Sequence, residues 1–564
     1  MLRLVTCSGL LLGWLLAAPA PAQEPVGISP AAARAIVDSV SHAYYENKFA
    51  LYPELATAKG VSGHDSTLAG FDAREVRRFI LHTKRAQERL ASFIEDSLDI
   101  ETWIDSKALA SDMATQLFWL EDLAVWRTNP MLYVDACTNG LHYLALRRDR
   151  VWEDADFRAR LRRLPEVLSG ARANLTGPVS LQCEMAAASA RGFLPFLQDL
   201  KWRGGRDEAA FDGDLDRALD ALGTFAAYLD SLAPLASPDF ALGYDNLVKL
   251  LGLRHMFEES PEQIVAYAER VLRISGERLA AIDAPQPQAV ADTARALLIT
   301  RDDVLRLYAA EADSALTFLR QKDLVTLPGN AEVRVVAAPA FLRPLVTSYA
   351  YEPPGPFDGP QVGHLYVPLP DSLDDEARAR YATAAANRDP RGIIVHEVYP
   401  GHHLQLVAAN SSASFVRKLQ MDTFTVEGWA LYCEQMMAEA GYYGAEGERK
   451  VLRSVIFRAA RAVVDVKLQT GEWTLDQAAD YMEDKTHISR AYVEREVRRY
   501  AVDPAQPMSY IMGKKAVVEL RDRLKQIRGD AFELKEFHDM LLACGSVQPY
   551  LLKVCVTSRA TGRE

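Results

Sequence analysis

The sequence predicts a mainly α-helical protein with one small antiparallel β ribbon set into it. Long alternations of Ala, Leu, Arg and Glu fill 70–125, 152–200 and 207–233, and these are good helix formers. Ser260-Pro261-Glu262-Gln263 and Thr474-Leu475-Asp476-Gln477 are capping-box signatures. In such a box the hydroxyl accepts from the N–H three residues on while the Gln side chain reaches back. β-favouring runs are confined to Val333–Val336, Leu345–Tyr349 and His364–Val367, separated by Pro and Gly.

In chain order, residues 1–22 read as a secretory signal peptide. Arg3 is the only charge before Glu24, an apolar run covers Leu10–Ala18, and Ala20-Pro21-Ala22 fits a small-x-small cleavage site. The alternative, an uncleaved anchor, is disfavoured because the run is shorter than the roughly 20 residues a span needs. The protein is therefore expected to be secreted or periplasmic, with no membrane span left after cleavage. Residues 23–330 form an N-terminal helical region. After the Ser260 box, with Pro261 at the first helical position, Ile264, Ala268, Val271 and Leu272 recur at helical spacing. Residues 331–370 hold the ribbon and a Pro/Gly-rich loop. Its edge suits an extended peptide by strand addition; a plain surface hairpin is equally compatible. Residues 371–564 form a second helical region, and the mature chain is read as one catalytic unit.

Composition narrows the function. The 564 residues are 49% hydrophobic and 25% charged, enough apolar content for a large core. A net charge of −12 gives a nucleic-acid role no electrostatic support. Of six cysteines, Cys7 leaves with the leader; Cys137, Cys183, Cys433, Cys544 and Cys555 show no C-x-x-C spacing. That argues against a cysteine zinc site and a dense disulfide framework. Cys544 and Cys555 either pair or stay as buried thiols.

The chemistry is concentrated in two segments. Residues 396–403 read His-Glu-Val-Tyr-Pro-Gly-His-His, and Glu427 opens Glu-Gly-Trp-Ala-Leu-Tyr-Cys-Glu. Two imidazoles and a downstream carboxylate, His396, His402 and Glu427, are the ligand types of a catalytic zinc site, which keeps one position open for water. On a regular helix His396 and His402 lie ~120° apart and cannot share an ion. Pro400 lacks an N–H and Gly401 relaxes the backbone, so a bulged turn is expected to bring them together. His403 then points to the cleft or to a supporting partner. Pairing His396 with His403 instead would leave the two ~10 Å apart along the axis. Glu427 and Glu434 share one helical face, so one can bind metal while the other orients a ligand imidazole. Asp422 is a weaker ligand candidate. Glu397 is the expected general base, moving a proton from the attacking water to the leaving amine. Trp429, Leu431 and Tyr432 read as core.

These blocks, with Leu404-Gln405 after the histidines, resemble the bacterial domain-of-unknown-function 885 family. That family is regarded as zinc-peptidase-like and related in fold to the neurolysin and thermostable-carboxypeptidase groups. The resemblance extends to Tyr52-Pro53-Glu54-Leu55-Ala56-Thr57, to Tyr351 through Gly363, and to Arg499-Tyr500, Pro504, Gln506, Tyr510 and Gly513. It implies a two-lobed helical fold with a deep cleft, zinc on His396, His402 and Glu427, and Glu397 as base. It also implies Tyr510 as a donor to the transition-state oxyanion, against a buried structural tyrosine as the plainer role. His403, Glu434, Tyr399 and Arg499 fall in supporting or substrate-binding positions. Arg499 or Lys514 is a candidate for a substrate carboxylate, with an ordinary helix-surface role as the simpler alternative. Gln469 stands where the family is expected to carry histidine, and Lys467 where it carries glycine, which implies shifted specificity or weakened activity. Val367-Pro368 ends the ribbon where relatives tend to carry asparagine.

The resulting expectation is an exported zinc-dependent hydrolase, one Zn2+ per chain, cutting short peptides. The alternatives are a periplasmic binding or scaffold protein with a vestigial metal site, motivated by Gln469, and a zinc amidohydrolase acting on a non-peptide amide.

Overall fold

The computed structural model describes residues 29–92, 98–148, 150–203, 209–282, 301–329, 331–339, 349–369 and 390–562. The signal-peptide expectation for residues 1–22 lies outside them. Helices dominate. The N-terminal region contains α1 (Pro30–Leu51), α2 (Pro53–Ala58), α3 (Ala73–Leu90), α4 (Ile100–Leu117), α5 (Val125–Thr128) and α6 (Met131–Arg147). It continues through α7 (Ala155–Asn174), α8 (Ser180–Arg203), α9 (Ala209–Leu232), α10 (Tyr244–His255), α11 (Pro261–Ile282) and α12 (Arg301–Lys322). Both capping boxes form: Ser260 and Gln263 exchange bonds ahead of α11, and Thr474 and Gln477 do so at a later helix start.

The β region corrects one expectation. Strands β1 (Ala331–Ala337), β2 (Ala350–Glu352) and β3 (Gln361–Val367) form a mixed sheet in the order β1-β3-β2. β1 runs parallel to β3, and only β2 is antiparallel to it. The two long runs pair side by side, and the short β2 lies on the outer edge. Most of the expected Leu345–Tyr349 strand lies outside the described residues; β2 starts at Ala350. Gly363 on β3 lets the Tyr351 ring lie across it, since a Cβ there would sit 2.1 Å from the Tyr351 hydroxyl.

The C-terminal region carries α13 (Pro390–Glu397), α14 (His402–Asn410), α15 (Phe415–Leu419), α16 (Thr423–Glu439) and α17 (Gly447–Gln469). It ends with α18 (Leu475–Thr486), α19 (Arg490–Val502), α20 (Gln506–Arg528), α21 (Leu534–Ala543) and α22 (Pro549–Thr561). Helices α16 and α20 cross at a pair of glycines. A Cβ on Gly513 would meet the Phe424 carbonyl oxygen at 1.8 Å, and one on Gly428 the Gly513 backbone at 2.3 Å. Only bare backbone permits this approach, and it sets Glu427 beside the first turns of α20. Gly513→Ala is expected to destabilise the protein by about 3 kcal/mol or more, because the methyl would meet fixed backbone; an unchanged thermal unfolding midpoint would contradict this reading of the crossing.

Gln469 and Lys467 lie away from the cavity described below. The fully buried Gln469 amide donates to the Tyr500 and Ala501 carbonyls at 3.1 and 3.3 Å and accepts from the Leu242 N–H at 3.2 Å. It ties α17, α19 and the segment before α10 together. Lys467 pairs with Glu472 on the surface side. Cys544 and Cys555 form a disulfide, while Cys137, Cys183 and Cys433 are buried thiols. No helix among the described residues is long and apolar enough to cross a membrane.

Candidate metal centre

The His396–His402 segment is a broken helix rather than a bulged one. Helix α13 stops at Glu397, four residues follow without helical structure, and α14 begins at His402. Pro400, after a cis Tyr399–Pro400 bond, supplies no N–H to continue the ladder. Gly401 passes so close over α13 that a Cβ would lie 1.8 Å from the His396 carbonyl oxygen and 2.4 Å from that of Val395. The carbonyl of Pro400 accepts from Trp429 Nε1 at 2.8 Å, with Cys433 Sγ at 3.7 Å. Trp429 is core, as expected, but it also fastens the break to α16.

The break brings three candidate ligand atoms together. Glu427 Oε2 lies 3.4 Å from His396 Nε2 and 3.3 Å from His402 Nε2. All three atoms fall within 4.8 Å of one another. Ligands at ~2.0–2.1 Å from a tetrahedral zinc stand about 3.3 Å apart, so the spacing fits one small cation. Both histidines are buried, 5% and 7% exposed, and Glu427 Oε2 has no hydrogen-bond partner. Glu434 Oε1 lies 2.9 Å from His396 Nδ1 and orients that ring from the far side.

Electrostatics follow from this packing. Burial works against ionisation of Glu427, yet the two imidazoles outweigh it and hold the carboxyl well below its usual range. Burial opposes a charge on His396, but the adjacent Glu427 and Glu434 carboxylates raise its affinity for a proton. Glu434 is likewise drawn down against burial by Arg458, 3.6 Å away, and by His396. The centre therefore calls for positive charge. Glu397 is pushed upward, chiefly by burial, which suits a group that must take a proton.

The site opens into a cavity of about 830 Å³ whose wall is built from β2, α13, α14, α16, α17, α19 and α20. Glu397 and Tyr510 both line it. The Tyr510 ring stacks on His396 at 5.9 Å, and its hydroxyl accepts from Gln506 Nε2 at 3.1 Å. Gln506 Nε2 also donates to Glu427 Oε1 at 3.2 Å. His403 turns away from the centre, with Nδ1 2.6 Å from the Tyr351 hydroxyl and its ring edge-on to Tyr399 at 5.2 Å. Tyr399 thus supports His403 and does not line the cavity. Asp422 is not a ligand: it caps α16 through the Phe424 and Thr425 N–H groups and pairs with His255 at 2.7 Å. Arg499 belongs to the cavity wall rather than the surface. Lys514 is buried and outside the wall.

Residues 53–555 match a family described as a bacterial protein of unknown function, DUF885. The chain belongs to the DUF885 family. No curated protein matches. Two solved structures share the fold. One is a predicted lipoprotein of unknown function from Shewanella oneidensis, with 22% identity and a TM-score of 0.72, covering 92% of this chain and 99% of that one. The other is a predicted lipoprotein from Colwellia psychrerythraea, with 18% identity and a TM-score of 0.72, covering 95% and 100%.

In this DUF885 chain, two groups went unrecognised as site residues in the sequence. Gln506 bridges Glu427, Tyr510 and two arginines. Arg461 lines the cavity from α17. Its signal is a cation inside an otherwise apolar buried run, Ala459-Ala460-Arg461-Ala462-Val463-Val464.

Proposed function

We propose that this protein is an exported zinc-dependent hydrolase acting on short peptides within the cavity. The observation that carries the reading is the convergence of Glu427 Oε2 with the Nε2 atoms of His396 and His402 at 3.3–3.4 Å. Export rests on the N-terminal apolar segment and accords with the lipoprotein descriptions of both structural neighbours.

His396, His402 and Glu427 would hold the ion. When bound, zinc supplies Lewis acidity and acidifies water at neutral pH. Glu397 takes a proton from the attacking water and delivers it to the departing nitrogen. Its raised proton affinity makes both transfers accessible. The Tyr510 hydroxyl, positioned by Gln506, donates to the oxyanion that develops on the scissile carbonyl. β2 is an edge strand of the sheet, and Tyr349, Ala350 and Tyr351 line the cavity. An extended peptide laid along β2 would be held by main-chain bonds.

The first test is elemental analysis of the purified protein and of His402→Ala. The expected result is about one zinc per chain in the former and its loss in the latter. Wild-type protein without metal after zinc supply would sink the proposal. Glu434→Gln is expected to weaken zinc binding about 10–100-fold in chelator competition, because His396 loses its orienting carboxylate. An unchanged affinity would remove Glu434 from the site.

A further inference from the structure

Arg461 is 4% exposed, yet no carboxylate among the described residues forms an ion pair with it. Its guanidinium stands over the Tyr510 ring at 4.1 Å and near Tyr500 at 5.0 Å and Phe457 at 5.6 Å. It donates to Gln506 Oε1 at 3.3 Å, and its Nε finds no acceptor. Arg499 donates to the same oxygen at 3.2 Å and pairs with Glu496 at 3.1 Å. Glu496 also accepts from Tyr500. Two guanidiniums on the cavity wall thus share Gln506 Oε1, and of the two only Arg499 has a carboxylate within ion-pairing distance among the described residues. A buried charge without a partner is costly, and such groups concentrate where ligands bind.

The position of this charge relative to the metal centre is set by one side chain. Gln506 touches Glu427 with its nitrogen and both arginines with its oxygen. The receptor therefore lies one side-chain amide away from the ligand carboxylate. A peptide's terminal carboxylate follows its last amide by one residue, ~3.8 Å of chain. We propose that Arg461 and Arg499 receive the free α-carboxylate of the substrate, so that the bond cut is the last amide of the chain. This rests on the hydrolase reading above. Hydrolysis there breaks the C–N bond, places the water oxygen on the carbonyl carbon and the water's protons on the products. The leaving group is a free amino acid.

The test uses calorimetry on the full mature protein, treated with a chelator so that no metal can hold a carboxylate. Three probes are compared: N-acetyl-alanine, its amide, and N-acetyl-aspartate α-amide, which carries only a side-chain carboxylate. The acid is expected to bind at least about ten-fold more tightly than the amide, as charge-assisted bonds allow. Arg461→Gln should bring the ratio close to one. Because Arg461 is packed between rings and Arg499 holds the buried Glu496, both variants are compared below their own unfolding transitions, and Arg499→Gln is expected to lower the ratio as well. Equal binding of acid and amide by the wild type overturns the proposal, as does binding of the aspartate amide as tight as that of the acid. Neither result depends on turnover. The hydrolase reading fails separately, if zinc-loaded protein cleaves no peptide.

Discussion

Glu397→Gln is expected to keep its zinc and lose about 10²–10⁴-fold in kcat/KM, the range for removing a positioned general base. The substitution keeps the shape of the side chain and removes only its capacity to accept a proton. None of the three converging ligand atoms belongs to Glu397, so metal content is expected to stay at the wild-type level. Its carboxyl is pushed upward mainly by burial, while the neighbouring His396 and His402 pull the other way. That opposition keeps the group able to take a proton and release it. Elemental analysis and peptide hydrolysis on one preparation check both halves. Wild-type turnover in Glu397→Gln would assign the proton transfer elsewhere.

Gly401→Ala is expected to abolish the centre. The added methyl would have to occupy space 1.8 Å from the His396 carbonyl oxygen and 2.4 Å from the Val395 oxygen. These are backbone atoms at the end of α13 and cannot rotate aside. The joint must open, and His402 begins the next residue. Overpacking against side chains usually costs about 1–3 kcal/mol; against fixed backbone the cost is expected to reach about 3 kcal/mol or more. A displacement of His402 by even ~1 Å would separate its Nε2 from Glu427. Thermal unfolding and zinc content should therefore fall together. A fully loaded variant of native stability would show that the break tolerates a side chain.

The cluster was legible because its members are close in sequence and chemically distinctive. His396, His402, Glu427 and Glu434 lie within 38 positions of one another, and the Pro400-Gly401 pair announced that the helix could not run straight. How the backbone solved this was not legible. A bulge and a full break satisfy the same spacing, and the choice depends on Trp429 holding the Pro400 carbonyl across 29 residues. The strands showed the same division. β-branched content located β1 and β3, but strand propensity says nothing about partner or direction, so their parallel pairing was missed. Gln506 carries no local signal of joining the centre; only the close α16–α20 crossing at Gly428 and Gly513 delivers it.

Asp105 of α4 and Arg417 of α15 are both almost wholly buried and paired at 2.8 Å, although 312 positions separate them. Arg417 also meets Glu101 at 2.6 Å. During synthesis the first half of the chain is made long before its partner exists. Until then Asp105 must stay hydrated or bind a proton, and the surface that will cover it cannot close; a buried charge without its partner costs about 3–5 kcal/mol. A fragment ending near residue 330 would be caught permanently in that state. The surface around Asp105 on α4 is thus completed only when the half that carries Arg417, His402 and Glu427 arrives.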